Sequence, residues 1–228
     1  MKLWRYLDLA KYTFLIQRSE LHCPRGDQFE DKFEGSYPSQ NKTDFDGWGF
    51  KGEDWKQFVA VSCWHKSEDE SDAMWRLYGP NKYGIAITTT EEALNKLANE
   101  NGGYVQTVEY IDFSSGTADI KIPTDVFHYK RRAFRHESEV RLIITKYPHC
   151  GFENNMPKLS VPTKEKELPK SGLLMEVDLM DFIKAIIISP DADQWFHDVV
   201  TNLTKTYGLD EKLVGYSELC GNPIYAKP

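Results

Sequence analysis

Apolar and polar positions fall along this chain in short blocks, with no single repeating period. Leu3-Trp4-Arg5-Tyr6 reads as a strand. Asp8 is placed to cap a helix over about residues 9–20, with Leu7, Ala10 and Phe14 on one side. Leu21-His22-Cys23 returns as a strand that Pro24 and Gly26 end. Residues 27–35, DQFEDKFEG, form a loop or short helix carrying four acids among two Phe. Residues 36–56 read as an irregular excursion. Residues 58–64 are a near-continuous apolar run, the pattern of a central strand. Residues 67–78 predict a helix with Ser67 at the cap and Glu70 three residues on.

A strand over 84–88 follows, then a helix opened by Thr89 and Glu92 and stopped by Gly102-Gly103. Residues 104–111 predict a strand, 112–124 a polar loop and 126–135 a helix. The stretch 134–144, FRHESEVRLII, is a basic lead-in running into a strand. Residues 147–172 are loop-rich. Strands are expected at 173–177, 185–189 and 213–217. Ser189-Pro190 predicts the start of a helix whose buried stripe is Trp195, Phe196, Val199, Val200 and Leu203, ended by Gly208. About eight strands and four or five helices, without regular alternation, predict an α+β fold over a doubly wound sheet. The length predicts a single domain over residues 1–228.

Composition narrows the function classes. The net charge of −7 argues against a broad electrostatic nucleic-acid binder, although a local basic patch can still hold a strand. Aromatics at 13%, with six Trp, suit a ring-lined pocket as well as a core. Cys23, Cys63, Cys150 and Cys220 form no CxxC pair and read as reduced thiols. No signal-peptide pattern follows Met1, and the apolar run at 185–188 is too short to span a bilayer. The expectation is a soluble, cytoplasmic protein with no membrane partner.

The chemistry concentrates at the head of the strand after 134. In extended chain Glu137, Glu139 and Arg141 share one face while Val140 and Leu142 face away. Two carboxylates and a guanidinium there suit a site where positive charge is bound or generated. A solvated strand end with Arg141 pairing a glutamate is the plainer alternative. Arg5, between Trp4 and Tyr6, calls for an anion from the protein or from a ligand phosphate. Ser62 ends the apolar strand without a GxSxG elbow, so it is no hydrolase nucleophile. His65, His128 and His136 lack metal-ligand spacing, and no metal is assigned. Lys130, Arg131, Arg132 and Arg135 form a basic cluster, either a solvated helix face or a route for a phosphate-bearing substrate. No P-loop or dinucleotide-type glycine loop is present.

LWRY at the start, DQFEDKFEG, SCWH followed by MWRLYG, and HESEVRLI resemble a bacterial family, domain of unknown function 2971. The match runs from residue 3 to about 145, with a weaker echo at the Ile-Ser-Pro segment. The layout is also similar to the ADP-ribosyltransferases, whose signatures run in order as an Arg or His, then a Ser or Tyr, then a Glu in a QxE or ExE triplet. Arg5, Ser62 and Glu139 fall in that order, with Glu137 completing ExE.

The resemblance implies a split mixed or antiparallel sheet with flanking helices, and NAD as co-substrate. It implies that Arg5 contacts an NAD phosphate or ribose, with Tyr6 or His22 as alternatives for that role. Ser62 would help to place Glu139. Glu139 would stabilise the oxocarbenium, and Glu137 would assist the acceptor. Trp75 and Tyr78 would flank nicotinamide or the acceptor, and DQFEDKFEG would form part of a lid. Arg131, Arg132, Arg135 and Arg141 are the expected substrate contacts. The acceptor is a macromolecule, nucleic acid ahead of protein, in a toxin or phage-defence setting with room for an antitoxin. Two other classes stay open: a metal-dependent nuclease using Glu139 with Asp27, Glu30 or Asp31, and a non-catalytic interaction domain.

Overall fold

The computed structural model describes residues 1–39, 41, 54–79, 81–146, 149–153, 156–159 and 168–221. Its elements, in chain order, are β1 (Lys2–Leu7), α1 (Leu9–Arg18), β2 (Glu20–Cys23), β3 (Val59–Ser67), α2 (Asp72–Tyr78), β4 (Ile85–Thr90), α3 (Glu91–Glu100), β5 (Gly103–Thr107), β6 (Glu109–Ile111), β7 (Tyr129–Arg131), β8 (Glu139–Thr145), β9 (His149–Glu153), β10 (Met156–Leu159), β11 (Leu173–Glu176), α4 (Leu179–Phe182), β12 (Ala185–Ile188), α5 (Gln194–Thr206) and β13 (Val214–Tyr216). The protein is α+β, with a mixed seven-stranded sheet ordered β13-β12-β4-β1-β3-β8-β5. Most of the expected excursion over 36–56 lies outside the described residues, as does much of 147–172. Within the latter, β9 and β10 pair antiparallel where a loop-rich segment was expected.

The chain forms two compact units. The first comprises Met1–Leu21, Trp64–Leu94 and Glu176–Pro228, and the second His22–Cys63 and Asn95–Met175. In the first, β1 lies antiparallel to β4, in register from Lys2 against Thr90 to Leu7 against Ile85. β12 adds antiparallel to β4, and β13 parallel to β12. Leu3, Ile85, Ile87 and Ile186 are fully buried, as central strands require.

Asp8 caps α1 by accepting from the Lys11 amide at 2.6 Å. Tyr12, Leu15 and Ile16 form the buried face of this helix, while Ala10 and Phe14 are exposed. The expected face was therefore displaced. The Tyr12 hydroxyl bonding Thr204 of α5 at 2.6 Å fixes the true one.

Helix starts moved for a common reason. Ser71, not Ser67, caps α2, accepting from the Met74 amide, while Ser67 closes a turn onto the Asp69 amide. Thr90, the last residue of β4, accepts from the Ala93 amide where Thr89 was expected to cap. Ser189 accepts from the Ala192 amide in a turn, and α5 starts later, with Asp193 at its N-cap. In each case two polar residues compete for the role, and strand length decides between them. In α5 the buried positions are Phe196, Val200 and Thr204, at spacing four, so Trp195 and Val199 lie toward solvent.

In the second unit the first half of β3 runs beside β8, and β5 pairs antiparallel with β8 from Gly103 against Ile144 to Thr107 against Val140. Val59, Val61, Val126, Phe127 and Ile143 form its buried cluster. Residues 126–135 are not the expected helix. They form a 3-10 turn at Pro123–His128, then β7, then a second 3-10 turn at Arg132–Glu137. Residues 123 to 127 are all buried, so the first turn has no solvent face of the kind a surface helix presents. Asp125 closes the turn, accepting from the Lys121 and Ile122 amides at 2.8 and 3.0 Å.

Gly35 has φ +69°, and a Cβ there would stand 2.7 Å from the Phe127 ring and 3.1 Å from Lys56 Cε. It thereby brings the end of DQFEDKFEG hard against the buried cluster. Among the described residues no helix is long and apolar enough to cross a membrane.

Candidate functional site

The second unit contains a buried ionic cluster built on the face of β8 that carries Glu139, Arg141 and Ile143. Ser138, left-handed at φ 42°, turns the chain out of the 3-10 turn and into that strand. Arg141 is fully buried. Its Nε donates to Glu139 Oε1 at 2.7 Å, Nη2 to Glu139 Oε2 at 3.0 Å and to Glu34 Oε2 at 2.5 Å, and Nη1 to the Phe127 carbonyl at 3.0 Å. The guanidinium lies 5.1 Å from the Phe29 ring. Lys130, on β7, faces inward, with Nζ 2.5 Å from Glu137, 3.1 Å from Glu34 and 3.2 Å from Glu139. The Phe134 ring covers it at 4.8 Å. The Glu139 amide donates to the Tyr110 hydroxyl at 2.8 Å.

Three carboxylates and two cations meet in a site where every member is at most 6% exposed. Burial alone would raise the Glu139 carboxyl, but the Arg141 guanidinium and Lys130 overcome it and lower the group to about 2. For Glu34 burial wins over the same two cations, and its carboxyl is raised. Burial and the Glu139 charge push the Cys63 thiol well up, so it is a protonated donor to Glu139 and not a nucleophile. Burial alone would lower Lys130 and Arg141; Glu139 and Glu34 raise both above their ordinary values.

These shifts fix the acid response. Glu139 falls from 4.5 to about 2 on folding, so its contribution is complete above about 4.5 and is lost as pH drops toward 2. Glu34 has the opposite sign: its raised carboxyl favours the folded state below its ordinary range. Within the cluster, the acid lability between pH 4.5 and 2 therefore belongs to Glu139. Urea unfolding at stepped pH will show the wild type losing stability across this window more steeply than Glu139→Gln. Parallel curves would show that Glu139 is not the titrating group.

Of the residues expected to act, Glu137, Glu139 and Arg141 come together, joined by Glu34 and Lys130. Ser62 is fully buried on β3. Alternation along that strand turns Cys63 to the face that meets Glu139 and Ser62 to the opposite one. Arg131 is clasped by Asp31 through two bonds of 3.0 Å and stacks on Phe33 at 4.6 Å. Arg132 and Arg135 are exposed, with His136, on the turn that ends in Glu137.

In the first unit, Arg5 is half-buried, 5.6 Å over the Trp64 ring. Tyr6 meets Trp75 edge-on at 4.9 Å, and burial raises its hydroxyl to about 12. Trp75 is buried and donates to Glu70 at 3.0 Å, while Tyr78 is exposed. His22, on β2, bonds the Ser171 carbonyl in the second unit. For the nuclease reading, Arg25 clasps Asp27 as Arg131 does Asp31, and Glu30 is exposed. Among the described residues no three His, Cys, Asp or Glu side chains are grouped to hold a metal ion.

Glu34 and Lys130 are the members that sequence reasoning did not place. Glu34 lies in the acid-and-Phe run DQFEDKFEG, which signalled a special segment without naming the residue. Lys130 reads as one cation among four until its side chain is seen to turn inward.

Residues 74–142 match the family model described as protein of unknown function (DUF2971). The family expected from the motifs is thus borne out over this span. No curated protein and no solved structure matches the chain.

Proposed function

We propose that this chain is an NAD-dependent ADP-ribosyltransferase of the split-sheet type, with Glu139 as the carboxylate that stabilises the reacting ribose. One observation carries the reading: three buried carboxylates gathered at an ExE triplet, of which Glu139 is held ionised at neutral pH. Such a site complements a cation. Nicotinamide leaves C1′ of the ribose with the bonding electron pair and becomes neutral, and the positive charge passes to the oxocarbenium. A nucleophile of the acceptor then bonds to C1′ and gives its proton to Glu137. Arg141 and Lys130 are positioning residues that keep Glu139 ionised and oriented.

Glu139 is 3% exposed, so NAD reaches it when the Arg132–Glu137 turn lifts and Lys130 parts from Glu137. The left-handed Ser138 is the hinge of that opening. The exposed Arg132, Arg135 and His136 on the same turn favour a phosphate-rich acceptor over protein. The roles of Arg5, Tyr6, Ser62, Trp75 and Tyr78 rest on the family resemblance alone, as do the toxin or phage-defence setting and an antitoxin partner.

The test is nicotinamide release from NAD by purified protein in EDTA. Release that EDTA leaves unchanged is the expected result. Intact NAD, with nucleic acid cut only when magnesium is supplied, would replace this reading with the nuclease.

A further inference from the structure

Glu139 is held by more than its ion pairs. Its amide donates to the Tyr110 hydroxyl at 2.8 Å, and its carbonyl accepts from the Val108 amide at 2.9 Å. Both partners lie on one short stretch of chain. β5 pairs with β8 as far as Thr107 against Val140, so the Val108 bond carries that pairing one residue on. β6 then runs parallel to β7, with Tyr110 opposite Lys130. Both backbone groups of Glu139 are therefore satisfied from outside the Arg132–Glu137 turn.

On the other side of Ser138 the bonding is internal to the turn. The Ser138 amide donates to the Arg135 carbonyl at 3.3 Å, a long bond. The turn meets the cluster through Glu137, which pairs with Lys130, and through the Phe134 ring, which lies against Lys130 and Arg131. Ser138 is left-handed, a conformation that a residue other than glycine holds only when its surroundings impose it. The change from a self-contained turn to a fixed strand therefore falls on one residue.

Burial raises the Tyr110 hydroxyl to about 12, with the Glu139 and Glu137 charges acting in the same direction, so it stays neutral beside two carboxylates. Among the described residues the Glu139 amide is the one hydrogen-bond partner of that hydroxyl.

We infer that Tyr110 is the positioning residue of Glu139: its hydroxyl, with the Val108 amide, clamps the head of β8, so that the Arg132–Glu137 turn pivots at Ser138 while Glu139 keeps its place. The inference rests on the transferase reading for its effect on turnover, and on these hydrogen bonds alone for the clamp. Lys130 and Arg141 lie on β7 and β8, on the clamped side, so their bonds to Glu139 survive the opening. Without the clamp the Glu139 backbone follows the turn, and its carboxylate is misaligned with the oxocarbenium.

Amide hydrogen exchange, read residue by residue by NMR on the whole chain, tests the clamp without any substrate. In the wild type, the Glu139 amide is expected to be protected at least about tenfold more than that of Ser138, about 1.4 kcal/mol in opening free energy. Tyr110→Phe keeps the ring and removes the acceptor. Exchange at Glu139 is then expected to accelerate by at least about tenfold, with Leu142 and Ile143 unchanged. On NAD, the same variant lowers kcat by about 10- to 100-fold at unchanged KM.

Equal protection of Ser138 and Glu139 in the wild type would overturn the clamp, and that measurement needs no variant. Protection lost throughout the second unit in Tyr110→Phe would also sink it, since the hydroxyl would then support the fold and not one residue. Wild-type NAD turnover whose kcat ignores Tyr110→Phe refutes the positioning role and leaves the transferase standing. A protein that leaves NAD intact, yet shows the wild-type step at Ser138 and loses it in Tyr110→Phe, supports the clamp and retires the transferase.

Discussion

Arg141→Met will unfold the protein or lower its melting temperature by roughly 10 °C, the larger of the two main effects expected here. Arg141 is fully buried and satisfies two carboxylates and the Phe127 carbonyl at once. Methionine fills much of its volume and supplies none of its donors. Glu34 and Glu139 are then left buried with Lys130 as their shared cation. Breaking a buried pair in this way costs about 3–5 kcal/mol, a large part of a margin of about 5–15 kcal/mol. Arg141→Lys keeps the charge but cannot bridge Glu34 and Glu139 with a planar fork, so it falls between the two. Adding Glu139→Gln to Arg141→Met is expected to restore part of the loss, because it removes one of the two orphaned charges. Thermal unfolding of the four proteins measures the coupling. A loss within 1 kcal/mol for Arg141→Met, by the order of magnitude that exposed pairs show, would mean that the cluster is not the keystone of the second unit.

Glu139→Gln will fold and yet lose NAD cleavage by about 10²–10³-fold, the scale on which a single electrostatic stabiliser acts. It folds because both cations keep a carboxylate: Lys130 retains Glu34 and Glu137, and Arg141 retains Glu34. It loses activity because the amide accepts hydrogen bonds but cannot balance a positive ribose. Glu137→Gln likewise leaves both cations a carboxylate but acts on the acceptor step, so nicotinamide release without acceptor survives while transfer falls. Circular dichroism and nicotinamide release, run on both variants, separate the roles. Equal losses in both assays would merge the two glutamates into one structural function.

Much of the architecture is readable from the chain. The strand at Leu3-Trp4-Arg5-Tyr6, the Asp8 cap, the apolar run of β3 and the strand after Ser138 all follow from pattern and local chemistry. Local signals fail where two neighbouring residues compete, as at Ser67 and Ser71 or at Ser189 and Asp193, because strand length and tertiary packing choose between them. They fail again at residues 126–135, where Val126, Phe127, Tyr129 and Lys130 are buried and Arg132 and Arg135 are exposed, so the segment breaks into turns and a short strand.

The site is legible in part. The ExE-x-Arg spacing marks Glu137, Glu139 and Arg141, but Glu34 is 107 residues from Arg141 in sequence, and nothing local links them. Lys130 and Arg141 also look like surface charges in a chain with 28% charged residues. Only the fold shows that they are buried and matched to carboxylates.

In the transferase reading, Glu139 serves transfer from NAD to a macromolecule. Purified protein incubated with NAD labelled in the adenylate half, then with separated cellular RNA, DNA and protein, tests it most directly. Label is expected in one fraction, nucleic acid ahead of protein, and is lost with Glu139→Gln. Label in none of the three, with wild type and Glu139→Gln alike, would contradict it.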